Sequence, residues 1–164
     1  MIFGKPATRT EYPPARAKSG GFSLIELMVV VAIAAILAAV AFSSYRTSVL
    51  KSHRTEAKTA LLDLAGREER YYNANNNTYT LTQAGLGYGT AGNMTNVSVG
   101  SGYYQVSVTN VNAATTTTAA TYLITATAVG QQTQDAACAT FSVNNLGQQT
   151  ATGTDPNPNV DCWQ

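Results

Sequence analysis

The chain has 164 residues, 45% of them hydrophobic, which suits one folded domain with a modest core. Its formal net charge of +1 hides an uneven distribution: the first 21 residues carry four basic and one acidic side chain, so the rest sits near −2. Residues 71–164 contain no Lys or Arg and only three acids, which argues against a broadly basic, phosphate-binding surface there and leaves Thr, Asn, Gln and Ser to solubilise it.

Residues 1–21 hold Lys5, Arg9, Arg16 and Lys18 against Glu11, with three prolines and little apolar periodicity. They read as a leader. In an ordinary secretory signal the apolar region precedes the cleavage site, whereas here the basic segment ends in Gly20-Gly21 and the apolar run follows. Cleavage after Gly21 therefore leaves the apolar run attached. The leader's positive charges favour a cytoplasmic N-terminus and place the C-terminal part across the membrane; Arg46, Lys51 and Arg54 beyond the run weaken that bias.

Residues 22–42 have only Ser23 and Glu26 as polar positions. As a helix they extend roughly 31 Å, the thickness of a bilayer's hydrocarbon core. An ionised carboxylate in a lipid-facing helix is disfavoured by about 2.5 to 3.5 kcal/mol on insertion scales, so Glu26 requires an explanation. Cleavage after Gly21 creates an amine on Phe22, four residues away at the same end of the helix. That amine, on the same chain or on a neighbouring copy, can neutralise Glu26 and set an axial register. Equally, Glu26 can snorkel to the interface or gain from the helix N-terminal dipole.

Residues 43–72 have no proline and one glycine, and Tyr45, Val49, His53, Ala57, Ala60, Leu61, Leu64 and Tyr71 recur every three or four positions. That spacing predicts an amphipathic continuation of the helix, with Asp63 and Arg67 paired one turn apart. The Asn-rich stretch 73–80 ends it. Residues 81–102, rich in Gly, Thr and Asn, show no period and are read as a long ordered loop. The stretches 103–109, 121–129 and 138–143 alternate like half-buried strands, and Asn144-Asn145-Leu146-Gly147 predicts a turn into a fourth strand at 148–152. The low-complexity segment around Thr115 to Thr118 joins two strands, and a proline-rich loop closes the chain.

The run GGFSLIELMVVVAIAAILAAVAF resembles the class III signal and N-terminal helix of type IV pilins. The likeness continues through REERYYNANNNTYT and CATFSVNNLGQQTATGTDPNPNVDCW, which resemble PilE-like pilins in particular. The resemblance implies cleavage by a prepilin peptidase after Gly21, N-methylation of Phe22, and an assembly role for Glu26. It also implies an α+β fold, with a long N-terminal helix packed on a four-stranded antiparallel sheet. The implied layout is a leader at 1–21, a membrane and filament-core helix at 22–45, and a head at 46–164. Within the head lie the outer helix half (46–72), an αβ-loop (73–102), the sheet (103–152) and a loop bounded by a Cys138–Cys162 disulfide (138–162). Many family members carry glycine and proline where Ala35 and Ser43 stand here, so this helix is expected to stay regular.

Two cysteines fit one disulfide in an oxidising compartment, where closing this loop is worth roughly 3 to 4 kcal/mol in the chain-entropy model. Asp155, Asn157, Asn159 and Asp161 alternate like the start of a calcium-binding loop, but the turn glycine and distal glutamate are missing, so a solvated Asx and proline turn is the preferred reading. His53, the sole histidine, lies on the apolar stripe and is read as packing; Trp163 is read as covering the disulfide or a sheet edge. No nucleophile, base and acid arrangement or phosphate-binding loop is apparent, so neither an enzyme nor a cofactor is expected.

The expected function is structural, as a subunit of a type IV pilus serving adhesion, twitching motility or DNA uptake. Its expected partners are further copies, other pilins, the prepilin peptidase and the assembly machinery. The precursor is expected in the bacterial inner membrane as a single-pass protein with a periplasmic head, and the product in an extracellular pilus. The alternatives are a minor pilin acting as adhesin or DNA-uptake receptor, and a type II secretion pseudopilin. The missing basic residues argue against DNA binding.

Overall fold

The computed structural model describes residues 21–89, 91–112 and 119–164. The leader apart from Gly21, and the 115–118 connector, lie outside them. The chain divides into two compact units, Met1–Ala41 and Phe42–Gln164.

Helix α1 (Leu24–Ala74) is 51 residues long and passes Ala35 and Ser43 without interruption. Its start follows from Ser23, whose hydroxyl accepts the Glu26 N–H at 3.2 Å and whose carbonyl accepts Leu27 N–H at 3.2 Å. This is half of a Ser-x-x-Glu capping box. At the other end Asn76 and Asn77 take φ of 53° and 57°, a left-handed conformation that asparagine tolerates, and Asn77 N–H returns to Tyr72 O at 3.1 Å. The Asn73 and Asn75 amides donate to Glu69 O and Tyr71 O, both at 2.9 Å, so the Tyr71 and Tyr72 carbonyls near the end of the helix are satisfied.

The sheet has five strands rather than the expected four, in the order β1-β2-β3-β4-β5, all antiparallel. They are β1 (Val97–Val99), β2 (Tyr104–Asn112), β3 (Thr121–Ala128), β4 (Thr140–Asn144) and β5 (Gln149–Thr152). The additional strand β1 lies inside the segment read as loop. Three residues cannot display an alternation, and its partner across the turn is what makes it a strand. Gly100 and Gly102, at φ of 54° and 82°, let the chain double back so that Val99 pairs with Tyr104. β2 also continues past residue 109, through an irregularity between Thr109 and Asn112.

One face of the sheet is apolar and packed. Tyr104, Val106 and Val108 of β2, Tyr122, Ile124 and Ala126 of β3, and Phe141 and Val143 of β4 share a core with Ala57, Leu61 and Leu64 of α1. Leu86 and Met94, from the segment between α1 and β1, close it, and Met94 is pinned by hydrogen bonds from its own N–H to Leu81 O and from Val108 N–H to its carbonyl. The expected stripe is therefore buried at Ala57, Leu61 and Leu64, while Tyr45 is 69% exposed.

Candidate functional site

Two regions carry the sequence-predicted site residues. In the first, every side chain of residues 21–47 is exposed, including Phe22 at 82%. An 18-residue window in α1 reaches a mean hydropathy of 2.8 with none of it buried, so the helix is long and apolar enough to cross a membrane. Gly21 has open space around it. Glu26 lies in the first turn of α1, at the end that Phe22 precedes.

The second region is the tail. Cys138 and Cys162 form the disulfide, with Cα atoms 5.8 Å apart and both residues 1% exposed. Cys138 ends the second of two 3-10 turns, Gly130–Gln134 and Ala136–Cys138, and Cys162 follows the short helix α2 (Pro158–Asp161). Trp163 meets Phe141 edge to face at 5.7 Å, and its indole N–H donates to Thr150 O at 2.8 Å. Gly153 runs so close to the second turn that an added Cβ would lie 1.9 Å from Ala137 O, so only glycine fits.

The four alternating polar residues of the tail do not act as one set. The Asn159 side-chain oxygen accepts Ala151 N–H at 2.7 Å, and Asp155 Oδ1 accepts Asn157 N–H at 2.8 Å in an Asx turn. Asp161 stands beside Asp155; desolvation and that neighbouring carboxyl push its own carboxyl up.

Three features escaped the sequence pattern. Arg54 of α1 forms a two-pronged ion pair with Asp135, Nε to Oδ2 and Nη2 to Oδ1 both at 2.6 Å. Asp135 is buried beside Gln132, whose amide donates to Asp135, to the Tyr104 hydroxyl at 3.1 Å and to Leu50 O. The hydrogen bond with Asp135 raises the Arg54 pKa further, and burial pushes the Tyr104 hydroxyl up to about 12. Arg46 donates to Gln134 next to this network. The signal was present: Asp135 is the sole acid between residues 71 and 154.

The next is Glu68, fully buried on α1. Its Oε2 accepts Thr80 N–H at 3.0 Å, while Oε1 has no partner, and burial pushes its carboxyl up to about 7. Adjacent Glu69 accepts from the hydroxyls of Tyr79 and Tyr122. The third is a groove of about 620 Å³ between α1 and the start of the sheet, lined by Glu56, Ala60, Asp63, Tyr88, Val99 and Gly100 among others. Glu56 there holds Ser101 through its backbone N–H and hydroxyl. Asp63 receives Arg67 Nε at 2.7 Å, as the spacing predicted, and His53 stacks on Tyr103 at 3.7 Å between centroids.

Two family models match the chain. Residues 43–142 match type IV minor pilin ComP, DNA uptake sequence receptor, and residues 16–42 match the prokaryotic N-terminal methylation motif. The type IV wide pilus major component PilA4 of Thermus thermophilus is 42% identical over 66 residues, covering 40% of this chain and half the length of that relative. Among solved structures, a type IV pilin from Shewanella oneidensis aligns with a TM-score of 0.45 at 22% identity, over 70% of this chain and 98% of that one.

Proposed function

The chain belongs to the type IV pilin family described as type IV minor pilin ComP, DNA uptake sequence receptor, and on that premise we propose how its parts serve a pilus. It is a structural subunit. The prepilin peptidase cuts between Gly21 and Phe22, and the new Phe22 amine is methylated. The precursor is held in the inner membrane by residues 22–42, with its head on the periplasmic side, until it moves into the extracellular pilus. There the same helix packs against those of other copies and of other pilins. The observation that carries this reading is the exposed apolar surface of α1 along these residues, broken only by Ser23 and Glu26 at one end. Such a surface is compatible with lipid before assembly and with neighbouring helices afterwards.

Glu26 supplies the register by pairing with the Phe22 amine of a neighbouring copy. The test is Glu26→Ala in the full chain. Membrane insertion is expected to persist while sheared filaments disappear, and filaments in normal amounts refute the pairing.

The family description favours a second reading, a receptor for DNA. In this chain all basic residues after the leader lie in α1, and Arg54 and Arg67 are engaged by Asp135 and Asp63. Duplex affinity scales with the number of phosphates that Lys and Arg neutralise, so we propose that this chain does not act as a tight DNA receptor. Retardation of duplex DNA by the detergent-solubilised chain at low salt decides the point; tight, salt-sensitive binding overturns it.

A further inference from the structure

Between Lys51 and Asp63 the charges of α1 are segregated around its axis. At about 100° per residue, Lys51 and Lys58 fall within about 20° of each other, Glu56 and Asp63 likewise, and the two pairs stand about 140° apart on opposite flanks of the buried stripe. Each pair is seven residues long, two turns of helix. Lys51 is exposed, and half-buried Lys58 spends one donor on Gln164 O at 2.8 Å, leaving two. Arg54 on the same flank is committed to Asp135.

The acidic pair borders the groove of about 620 Å³ described above. Its wall of Ala60, Tyr88 and Val99 offers apolar surface along which lysine methylenes can lie while the ammonium reaches a carboxylate. Both carboxylates retain acceptor sites beyond their internal hydrogen bonds to Ser101 and Arg67. Besides its bond to Asp63, Arg67 donates to Leu86 O and lies 5.3 Å from the Tyr88 ring centroid.

We propose that the Glu56 and Asp63 groove of one copy receives Lys51 and Lys58 of the next copy, as a head-to-tail contact repeated along the filament. The contact rests on the reading of the chain as a pilus subunit and extends it to the heads. Lys51 meets Glu56, and Lys58 meets Asp63, when one copy is advanced by five residues of helix, about 7.5 Å. The two lysines and the two carboxylates share one seven-residue spacing, so a single advance satisfies both pairs. Because the two patches differ, the contact is heterologous and does not close on itself, the arrangement that generates an open helical fibre.

The test uses filaments grown from a mixture of ¹⁴N- and ¹⁵N-labelled full-length chains. A zero-length carbodiimide joins ammonium and carboxylate groups in direct contact, and mass spectrometry reads the linked peptides. Mixed-label links from Lys51 to Glu56 or from Lys58 to Asp63 are expected. Lys58→Glu is expected to reduce filament yield roughly tenfold, as loss of a charge pair with introduced repulsion implies, and adding Asp63→Lys is expected to restore it. The rescue is diagnostic because these side chains lie on different flanks within one chain. Filaments without mixed-label links, or in undiminished yield from Lys58→Glu, overturn the contact while leaving the pilus reading intact. Absence of filaments from the unaltered chain overturns both.

Discussion

Glu68→Gln is the perturbation whose size is best fixed by the structure. The Glu68 carboxyl is buried, has one unpartnered oxygen, and is pushed from 4.5 up to about 7 by burial, against a smaller lowering by Thr80 N–H. The folded state therefore binds more protons than the unfolded state between these values, and stability falls as pH rises through that window. At about 1.36 kcal/mol per unit, the full loss is about 3 kcal/mol, complete above the folded pKa. Glutamine keeps the oxygen that accepts Thr80 N–H and cannot ionise, but it buries an amide N–H₂ at a cost of about 1 to 3 kcal/mol. The variant is expected to lack this fall and to gain up to about 2 kcal/mol on the parent at pH 8, with no gain or a loss at pH 4.5. Guanidinium unfolding of the disulfide-intact full chain in detergent, for both proteins across this range, measures the difference while other titrating groups cancel. Parallel stability curves refute the assignment of the pH dependence to Glu68.

Arg54→Ala leaves Asp135 charged and buried without its partner, and a loss of about 3 to 5 kcal/mol is expected by chemical unfolding; Arg54→Ala with Asp135→Asn is expected to recover part of it. Replacing Cys138 and Cys162 by serine opens a loop with a sequence separation of 24, and a loss of roughly 3 to 4 kcal/mol is expected, read as the same drop in the parent on reduction. Equal stability of oxidised and reduced parent contradicts that figure.

Periodicity in the sequence alone determined the long helix, because its backbone hydrogen bonds are local and its apolar run is continuous. The asparagines from Asn73 to Asn77 marked its C-terminal end, since capping is also local. Alternation located β2 to β5 to within a few residues, and Gly147, at φ of 70°, closes the predicted turn. The N-terminal motif was legible for the same reason: Gly21, Phe22 and Glu26 are neighbours along the chain.

Tertiary structure decided whatever depends on partners distant in sequence. β1 is three residues long and exists through its pairing with β2. Glu68 lies in a run of acidic and basic residues, yet burial and the approach of Thr80 give it a different protonation range. Arg54 and Asp135, 81 residues apart, form a part-buried ion pair because the turn after β3 folds back on the helix. The separation of Lys51 and Lys58 from Glu56 and Asp63 around α1 was present in the residue order, but only the tertiary structure places a groove beside the two carboxylates. Local hydrogen bonding fixes elements; burial and long-range pairing set the charge state and accessibility of the groups they carry.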